Sequence, residues 1–516
     1  MKLFLIREVS EIRGDISHGL GIIGTIAKQE VEVAIFDNNS FHKTYSPNEI
    51  IERIKKTDPD ILGFHVHTHN FFATAKLITQ VKEEFPSLCL IAGGLHAFHE
   101  PKEILDLGVH VVAVEEADLT ILPMLRALKP SIGQQGKYIL SQEVQTSLKE
   151  ISGLLFYNPE NSELQDTGRP ELIKDLDDLP FVDHSLFNLE DYIKKPSDTH
   201  YVTNTLLTQR GCPFKCSFCQ GTDEGAFRMT RENSADYRIR YIEYLMEKFE
   251  QNHFFFFDAN FTLSRKRTLE FCQKMIDTGL NKKITYWCET NVVLKLDKEL
   301  CTMLKESGCV DIALGVERMN EESLKLIGKN KNFSIIHENI NNLRESGIRT
   351  TANALLGFPF DTKESVEEEE ALFMGIIDQV DSIMVSVVLP LPGTQIYNES
   401  NNKKWYFNDD YATWKPPFYH YAYNFNGNAW VANYFDLSPD TMAAIRGMRE
   451  RMHAVSIHRI NNRFVSALFF IVELLAKTSL FLFNKSPLLE RIVFGPVKWG
   501  YLFLWKFMVS KFYVTR

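Results

Sequence analysis

Six strand-then-helix units follow one another between Tyr201 and Tyr397, and this pattern constrains the fold more than any other feature of the chain. Such alternation is typical of parallel strands joined by crossover helices. Six units are too few for a closed eight-stranded barrel, so the pattern predicts a partial (β/α)6 barrel. The predicted strands are Thr203 to Gln209, Phe254 to Asp258, Ile284 to Glu289, Asp311 to Gly315, Thr350 to Leu356 and Ser382 to Leu389.

The first 130 residues also alternate apolar runs with helical patterns, which predicts an α/β, Rossmann-like doubly wound sheet. Its strands are expected at Val31 to Phe36, Ile61 to Phe64 and Leu88 to Ala92. Gly93 and Gly94 follow the last of these runs, where missing side chains would let a large ligand approach the backbone. An ordinary tight turn is the alternative.

Three cysteines form a C-x3-C-x2-C cluster after the first strand of the predicted barrel: Cys212, Cys216 and Cys219. Three thiolates can hold three irons of a [4Fe-4S] cluster, which leaves the fourth iron open to another ligand. A zinc site would need a fourth Cys or His nearby, and His200 lies twelve residues upstream. The remaining alternative is chance spacing of buried cysteines.

With Phe218 just before the last cysteine, this motif resembles the signature of radical S-adenosylmethionine (SAM) enzymes. The resemblance implies that SAM binds the open iron and that one-electron reduction cleaves it to a 5′-deoxyadenosyl radical. It also implies an electron donor such as flavodoxin or ferredoxin. The cofactors expected from it are the [4Fe-4S] cluster and SAM.

The N-terminal segment resembles the cobalamin-binding domain that precedes the radical domain in one large subfamily. The resemblance implies cobalamin contacts at Gly93, Gly94 and His96. A domain that only packs against the barrel is the alternative. The matching landmarks are Gly19-Leu20-Gly21, Asp37, Pro59-Asp60-Ile61-Leu62-Gly63, Gly93-Gly94-Leu95-His96 and Val114-Glu115-Glu116-Ala117-Asp118.

Two departures from the subfamily pattern concern cobalamin. The stretch Asp15-Ile16-Ser17-His18-Gly19 does not fit the D-x-H-x-x-G motif, so we expect cobalt to lack a histidine from that motif. Val114-Glu115-Glu116-Ala117 stands where the subfamily usually has Gly-Glu-Gly-Glu, which puts close backbone approach at that loop in doubt.

Polar side chains occur at the carboxyl ends of the predicted barrel strands, where chemistry gathers in parallel barrels. In the radical SAM family, positions after the second strand and around Gly315-Val316-Glu317 contact the amino group and ribose of SAM. Solvated strand-end residues are the alternative. Arg318 stands where serine is usual, and Asn291 where arginine is common. The candidate residues are Asp258, Asn260, Glu289 and Glu317.

His65, His67 and His69 alternate along the chain, so on a strand they would share one face. Three imidazoles on one face could bind a metal. We favour instead a polar loop that lines the cofactor cleft.

Charge and cysteine usage restrict the compartment and the partners. A net charge of −10 argues against nucleic acid as a partner. Eight cysteines in 516 residues do not suggest a disulfide scaffold. The apolar run Met1 to Ile6 is too short for a secretory signal and predicts a first strand. We therefore expect a cytoplasmic protein.

The last hundred residues depart from the family pattern. Trp405 to Phe435 is rich in aromatic residues and could form a substrate-facing wall or a buried structural lid. From Arg459 onward the chain is apolar and basic, and Ile492 to Phe512 mixes lysines with tryptophans. This mixture predicts a tail that lies on the inner face of the membrane. A helical hairpin packed on the protein or a dimer contact would also explain it.

Together these observations predict a cobalamin-dependent radical SAM enzyme, a C-methyltransferase acting at an unactivated carbon of a hydrophobic or lipid-like small molecule. One alternative is a radical SAM cyclase, oxidative or carbon–carbon bond-forming enzyme that transfers no methyl group. The alternative of another class is a non-catalytic cobalamin or iron–sulfur sensor. The predicted domains are 1–130 (cobalamin-binding-like), 131–195 (linker), 196–410 (partial barrel) and 411–516 (aromatic and helical).

Overall fold

The computed structural model describes residues 1–9, 16–40, 42–133, 136, 138–193, 203–222, 226–329, 334–400 and 435–458. The predicted aromatic wall, apart from Phe435, and the predicted membrane-associating tail lie outside these ranges. No helix within them combines the length and apolar character that a membrane span requires.

The first sheet has seven strands in the order β2-β1-β3-β4-β5-β6-β7. The first five are parallel, and β6 and β7 continue the sheet in antiparallel pairing. Because the strand order reverses beside β1, a ligand crevice is expected beyond the carboxyl ends of β1 and β3. The strands are β1 (Lys2–Arg7), β2 (Glu32–Asp37), β3 (Ile61–His65), β4 (Cys89–Gly93), β5 (Val111–Ala113), β6 (Leu154–Tyr157) and β7 (Leu164–Asp166).

The second sheet has six parallel strands in the order β15-β14-β13-β12-β11-β8, and it is open between β15 and β8 in the described part of the chain. This confirms the predicted partial barrel. A separate antiparallel pair, β9 with β10, lies next to the cysteine loop. The strands are β8 (Thr205–Leu206), β9 (Gln209–Arg210), β10 (Arg231–Glu232), β11 (His253–Phe256), β12 (Thr285–Asn291), β13 (Cys309–Glu317), β14 (Arg349–Leu356) and β15 (Ser382–Val387).

Helices connect the strands of both sheets, and several begin at side-chain caps that the sequence supplies. Ser46 and Glu49 form a reciprocal capping box at the start of α2, which satisfies backbone N–H groups that would otherwise lack partners. The helices are α1 (His18–Ala27), α2 (Pro47–Thr57), α3 (Phe71–Glu84), α4 (Leu95–His99), α5 (Pro101–Asp106), α6 (Ile121–Leu128), α7 (Gln142–Lys149), α8 (Leu189–Tyr192), α9 (Ala235–Phe249), α10 (Arg265–Asp277), α11 (Lys298–Glu306), α12 (Glu321–Leu326), α13 (Ser334–Glu345), α14 (Lys363–Gly375), α15 (Gln395–Glu399) and α16 (Pro439–His458).

Burial alternates along the barrel strands and separates two faces. In β14, Thr350, Ala352, Ala354 and Leu356 are buried, whereas the residues between them are partly exposed. The buried side chains pack into a core that also includes one face of the first sheet. We call the other side of the barrel sheet the open face.

The structure differs from the sequence prediction in two segments. The stretch Thr203 to Gln209 forms two short strands rather than one, because Gln209 and Arg210 pair with β10 instead of with β11. Strands β6 and β7 lie in the segment for which the sequence predicted a linker. The domain boundaries themselves stay predictions.

Candidate functional site

A buried carboxylate fixes the chain just before the cysteine loop. Asp258 accepts hydrogen bonds from the backbone N–H groups of Thr208 and Gln209, at 2.6 and 2.8 Å, and from the Thr208 hydroxyl at 2.6 Å. Burial raises the pKa of Asp258, while these hydrogen bonds oppose the rise. The sequence predicted Asp258 as a cofactor ligand, but here both of its oxygens hold the strand that leads into the cysteine loop.

The cysteine loop is attached to the barrel at both ends. Gly211 has a positive φ of 81°, and any side chain there would overlap the carbonyl of Met229. The Cys212 N–H donates to the Phe227 carbonyl at 2.7 Å. Further along, the Ser217 N–H donates to the Ile327 carbonyl at 3.1 Å. Backbone contacts with the rest of the barrel therefore fix both ends of the loop.

The three thiols of the loop differ in exposure. Cys216 is buried, Cys212 is partly buried and Cys219 is exposed. Burial raises the pKa of the Cys216 thiol to about 12. The Cys219 residue is exposed as a whole, but desolvation of its sulfur raises the pKa of that thiol as well. Thiolates at these positions therefore need a strong positive charge, which an iron–sulfur cluster supplies.

The geometry also bears on the alternative of a single metal ion. Within the described ranges, no three His, Cys, Asp or Glu side chains approach closely enough to bind one ion. This holds for the cysteine loop and for the histidines at positions 65, 67 and 69. A [4Fe-4S] cluster makes a different demand, because each of its three thiolates binds a different iron.

Asn260 joins the cysteine loop to the next strand. Its side-chain amide donates to the Cys212 sulfur at 3.2 Å, and its side-chain oxygen accepts from the Asn291 N–H at 3.1 Å. The predicted candidate Asn260 thus lies directly beside a cluster cysteine.

Glu317 lies at a β-bulge in β13 with a positive φ of 66°, which is a strained conformation for a residue other than glycine. Lys329 donates from Nζ to the Gly315 carbonyl at 2.6 Å and to the Glu317 carboxylate at 3.2 Å. The charge of Lys329 also lowers the pKa values of Cys216 and Cys219 against the effect of burial. This buried lysine therefore links the cysteine loop to the carboxylate of Glu317, the residue that was predicted to contact SAM.

The sequence analysis did not identify Lys329. Its position, twelve residues after Glu317 and beyond α12, becomes meaningful only when the chain folds back. Gly328, directly before it, packs so closely on the Lys215 carbonyl that a side chain would overlap it. The only signal in the sequence was a Gly-Lys pair after a helix, which is common.

Glu289 is on the open face, one strand away from Glu317. Burial, together with the charge of Glu317, raises its pKa to about 7. Neighbouring strands therefore bring two predicted candidates, Glu289 and Glu317, close together. A third candidate, Asn260, contacts Cys212.

Arg318 is fully buried and does not face the site. Its guanidinium donates to both oxygens of Asp361, at 2.6 and 2.7 Å. Asp361 also accepts from the Gly357 and Phe358 N–H groups, at 2.7 and 3.1 Å. The arginine that replaces the usual serine therefore stabilises the turn after β14 and supports the bulge at Glu317.

The predicted cobalamin residues lie at the carboxyl end of β4, next to the chain that leaves β3. Gly94 has a positive φ of 107°, and a Cβ there would lie 2.6 Å from the Val66 carbonyl oxygen, so only glycine fits. Gly93 makes no comparably close approach, and a Cβ would lie 3.5 Å from the Ala113 carbonyl oxygen. Gly19, at the start of α1, has open space beside it.

His96 is fully buried beneath this edge. Its Nδ1 lies 3.1 Å from the Thr68 hydroxyl, and its Nε2 lies 3.5 Å from Glu103. The ring also packs on Phe71, with centroids 4.3 Å apart. The structure thus gives His96 a packing role in the loop, and its contact with cobalamin stays a prediction.

The histidine-rich segment runs from the end of β3 into a single 3-10 turn, Thr68–Asn70, which contains His69. His65 ends β3, and its Nδ1 lies 3.2 Å from the Ser17 hydroxyl at the start of α1. The ring of His67 lies edge-on to it, with centroids 4.3 Å apart. Burial lowers the pKa of His67 to about 3 and also lowers that of His65, which favours neutral imidazoles. That this segment lines a cofactor cleft stays a prediction.

Two family comparisons match the two sheets. The Radical SAM superfamily matches residues 206–372, and the B12 binding domain matches residues 16–122. The first match begins in β8 and includes the cysteine loop, and the second spans α1 to α6. The chain therefore carries a Radical SAM domain and a B12-binding domain, which confirms both resemblances.

Two relatives show how far the similarity extends. The chain is 26% identical to an anaerobic magnesium-protoporphyrin IX monomethyl ester cyclase of Cereibacter sphaeroides over 69% of this chain and 55% of that protein. It is 26% identical to an uncharacterized methyltransferase of Pyrococcus horikoshii over 73% of this chain and 77% of that protein. The chain thus matches little more than half of the cyclase.

A solved structure shares the fold. The radical SAM methyltransferase TsrM from Kitasatospora setae, solved with cobalamin and a [4Fe-4S] cluster, superposes with a TM-score of 0.60 at 15% identity. The superposition covers 77% of this chain and 73% of TsrM. The cofactors of this class of protein are the [4Fe-4S] cluster, SAM and cobalamin, and the open cysteine loop and the glycine-lined edge of the first sheet fit them.

Proposed function

We propose that this protein is a cobalamin-dependent radical SAM enzyme that methylates an unactivated carbon of a hydrophobic or lipid-like substrate. The observation that carries the proposal is the direct contact between the two halves of the site. Arg210, two residues before Cys212, binds Asp118, which follows β5 of the B12-binding domain. The segment that leads into the cysteine loop is therefore held against the loop that follows β5.

The residues of the chain have distinct proposed roles. Cys212, Cys216 and Cys219 would hold the cluster, and Asn260 would donate to the Cys212 sulfur. Lys329 would balance the negative charge of the thiolates and hold Glu317 towards the SAM amino group or ribose. When bound, the cluster with SAM supplies a carbon-centred radical, and cobalamin supplies the methyl group.

The open face of the barrel supports an apolar substrate. Phe255 and Trp287 stack with ring centroids 3.6 Å apart and an interplanar angle of 8°. Phe257 beside them is 54% exposed, and Met384 on β15 is 42% exposed. Exposed aromatic and thioether groups on a strand face favour contact with a large apolar molecule. Glu289 on the same face would bind a polar group of that molecule.

One of the two relatives supports methyl transfer, since it is named an uncharacterized methyltransferase. Small-molecule chemistry with an external reductant is common to the superfamily. We propose a flavodoxin or ferredoxin as the reductant, a cytoplasmic location and contact of the C-terminal tail with a membrane surface.

The test is an anaerobic assay of reconstituted protein with SAM that carries a deuterated methyl group. We expect 5′-deoxyadenosine, S-adenosylhomocysteine and a product that retains the three deuterium atoms when lipid extracts are supplied. A Cys216→Ala variant is the matched control and should form none of them. Absence of both 5′-deoxyadenosine and labelled product in all extracts would contradict the proposal.

The similarity to the cyclase favours one second candidate, a radical reaction without methyl transfer. It would form 5′-deoxyadenosine and a modified product, but no S-adenosylhomocysteine in proportion to that product. A non-catalytic sensor, the candidate of another class, would bind the cluster without cleaving SAM. The same assay therefore separates all three.

A further inference from the structure

An acidic loop, defined here as Glu115-Glu116-Ala117-Asp118, leaves the carboxyl end of β5 and reaches the barrel. Its Glu116 stands where the subfamily pattern has the second of two glycines. Glu115, which matches a glutamate of that pattern, adopts a positive φ of 54°, an uncommon conformation that neighbouring contacts must stabilise. The loop therefore holds a strained backbone while presenting carboxylates.

The carboxylates of this loop bind two arginines of the barrel. Arg210 Nη1 donates to Asp118 at 2.6 Å and to Glu116 at 2.8 Å, and Arg210 Nη2 donates to the second oxygen of Asp118 at 3.1 Å. Arg231 donates to both oxygens of Glu116. The side chains of Asp118 and Arg231 are 5% and 9% exposed, so water screens these pairs little.

The two arginines need this loop. They are opposite each other in the β9–β10 pair, where like charges destabilise a sheet. Glu116 lies between them and binds both, which removes the repulsion. Arg231 also donates to the Ile173 carbonyl of the connecting segment at 2.7 Å.

The network continues directly into the cluster site. Arg210 is followed by Gly211 and then by Cys212, and the Cys212 backbone is bonded to Phe227. A second contact joins α4 of the B12-binding domain to the barrel segment. There the His99 ring of α4 packs so closely on Gly393 that a side chain would overlap it, and Phe98 lies 5.4 Å from the Phe227 ring.

We propose that Glu116 and Asp118 are positioning residues. They dock the B12-binding domain on β9, the strand that leads into the cysteine loop, and so set the distance between cobalamin and the cluster. This inference rests on the proposed function for the identity of the two cofactors. The carboxylates touch neither substrate nor cofactor in this proposal. They act through Arg210, which holds the start of the cysteine loop.

The test uses the full chain loaded with cob(II)alamin and the reduced cluster, whose magnetic dipolar coupling reports their separation. We expect Glu116→Gln and Asp118→Asn to widen the distribution of cobalt–cluster distances at least twofold. Arg210→Lys keeps the charge but loses the bidentate contact, so we expect it to have an intermediate effect. Arg126→Gln, which breaks the exposed pair with Glu30 in the same domain, is the control and should leave the distribution unchanged. An unchanged distribution in Asp118→Asn and Glu116→Gln would overturn the proposal.

A second measurement distinguishes positioning from general stability. The ratio of 5′-deoxyadenosine to methylated product should rise about tenfold in Asp118→Asn, because radical formation in the barrel persists while the methyl donor is misplaced. An equal loss of both products would contradict a positioning role.

Hydrogen exchange of the cofactor-free protein makes the proposal testable even if loading fails. Faster exchange is expected in both variants at residues 111–118 and 209–212, and unchanged exchange there would overturn the docking. If the unaltered protein forms no methylated product, the proposed function fails, whereas the distance and exchange results still decide whether the acidic loop docks the domains.

Discussion

Replacing Arg318 with methionine is expected to destabilise the barrel by about 3–5 kcal/mol, the range for removing one partner of a buried ion pair. The guanidinium is fully buried and donates to both oxygens of Asp361 at 2.6 and 2.7 Å. It also lies over the rings of Phe358 and Phe360, at 5.0 and 5.5 Å from their centroids. Methionine fills most of the volume, so the expected loss reflects the Asp361 charge left in the interior with its two backbone donors.

Native-state hydrogen exchange of β14 is the suitable assay, because a chain with two large sheets does not unfold in one step. The free energy of opening should fall in Arg318→Met by the amount given above. Glu369, whose carboxylate lies 4.0 Å from the guanidinium, keeps its bonds to the Met319 and Asn320 N–H groups in the variant. Adding Asp361→Asn removes the charge of the nearer carboxylate, so the double variant should lose about 2 kcal/mol less than the sum of the single variants. Arg265→Gln is the control, since its exposed pair with Asp297 contributes at most about 1 kcal/mol.

Two results would refute this reasoning. A loss below about 1 kcal/mol in Arg318→Met would show that the buried pair contributes no more than a surface pair. Additive losses in the double variant would show that Arg318 and Asp361 act independently. Either result would also remove the argument that the arginine supports the bulge at Glu317.

The remaining predictions concern both sheets. Asp258→Asn should reduce cluster retention severalfold in iron and sulfide analysis without unfolding the barrel, because it weakens the charge-assisted bonds to Thr208; full retention would contradict this role. Glu289 has a pKa near 7 in the folded protein and about 4.5 in the unfolded chain, so it holds an extra proton in the folded state between these values. The free energy of opening of β12 should therefore fall as pH rises from about 4.5 to 7, and Glu289→Gln should reduce that slope in native-state hydrogen exchange; an unchanged slope would contradict the shift. Gly94→Ala should reduce the stability of the first sheet by about 1–3 kcal/mol and weaken cobalamin binding in spectral titrations, because its Cβ would lie 2.6 Å from the Val66 carbonyl oxygen. Gly19→Ala is the control and should leave stability unchanged, because the space beside Gly19 is open.

Local patterns in the sequence were enough to predict the fold class. Strand–helix alternation depends on residues close in the chain, and it indicated two parallel sheets, one of them open with six strands. The cysteine spacing is also local, so the sequence placed Cys212, Cys216 and Cys219 in one loop after the first barrel strand. The B12-binding segment followed from glycines at strand ends, of which Gly94 proves to be sterically required.

Individual side-chain roles were decided by partners that are distant in the chain. Asp258 is at a strand end as predicted, but its oxygens bind Thr208 and Gln209 of the neighbouring segment. His96 follows the paired glycines as predicted, yet the helix turns its ring into the interior against Glu103. In both cases the residue position was predictable and the direction of its side chain was not.

The sequence by itself thus determined the two sheets and the cysteine loop, because periodicity and spacing are properties of short segments, while the cofactors followed from the resemblance of its motifs to known families. Only the tertiary structure brought Lys329 beside Glu317 and the acidic loop beside Arg210. A salt bridge needs its two charges within about 4 Å, and residues far apart in sequence reach that distance only after the crossover connections have set the register of neighbouring strands. The physical reason is that hydrophobic burial specifies which face of a strand is covered, while the pairing of charges depends on where the chain returns.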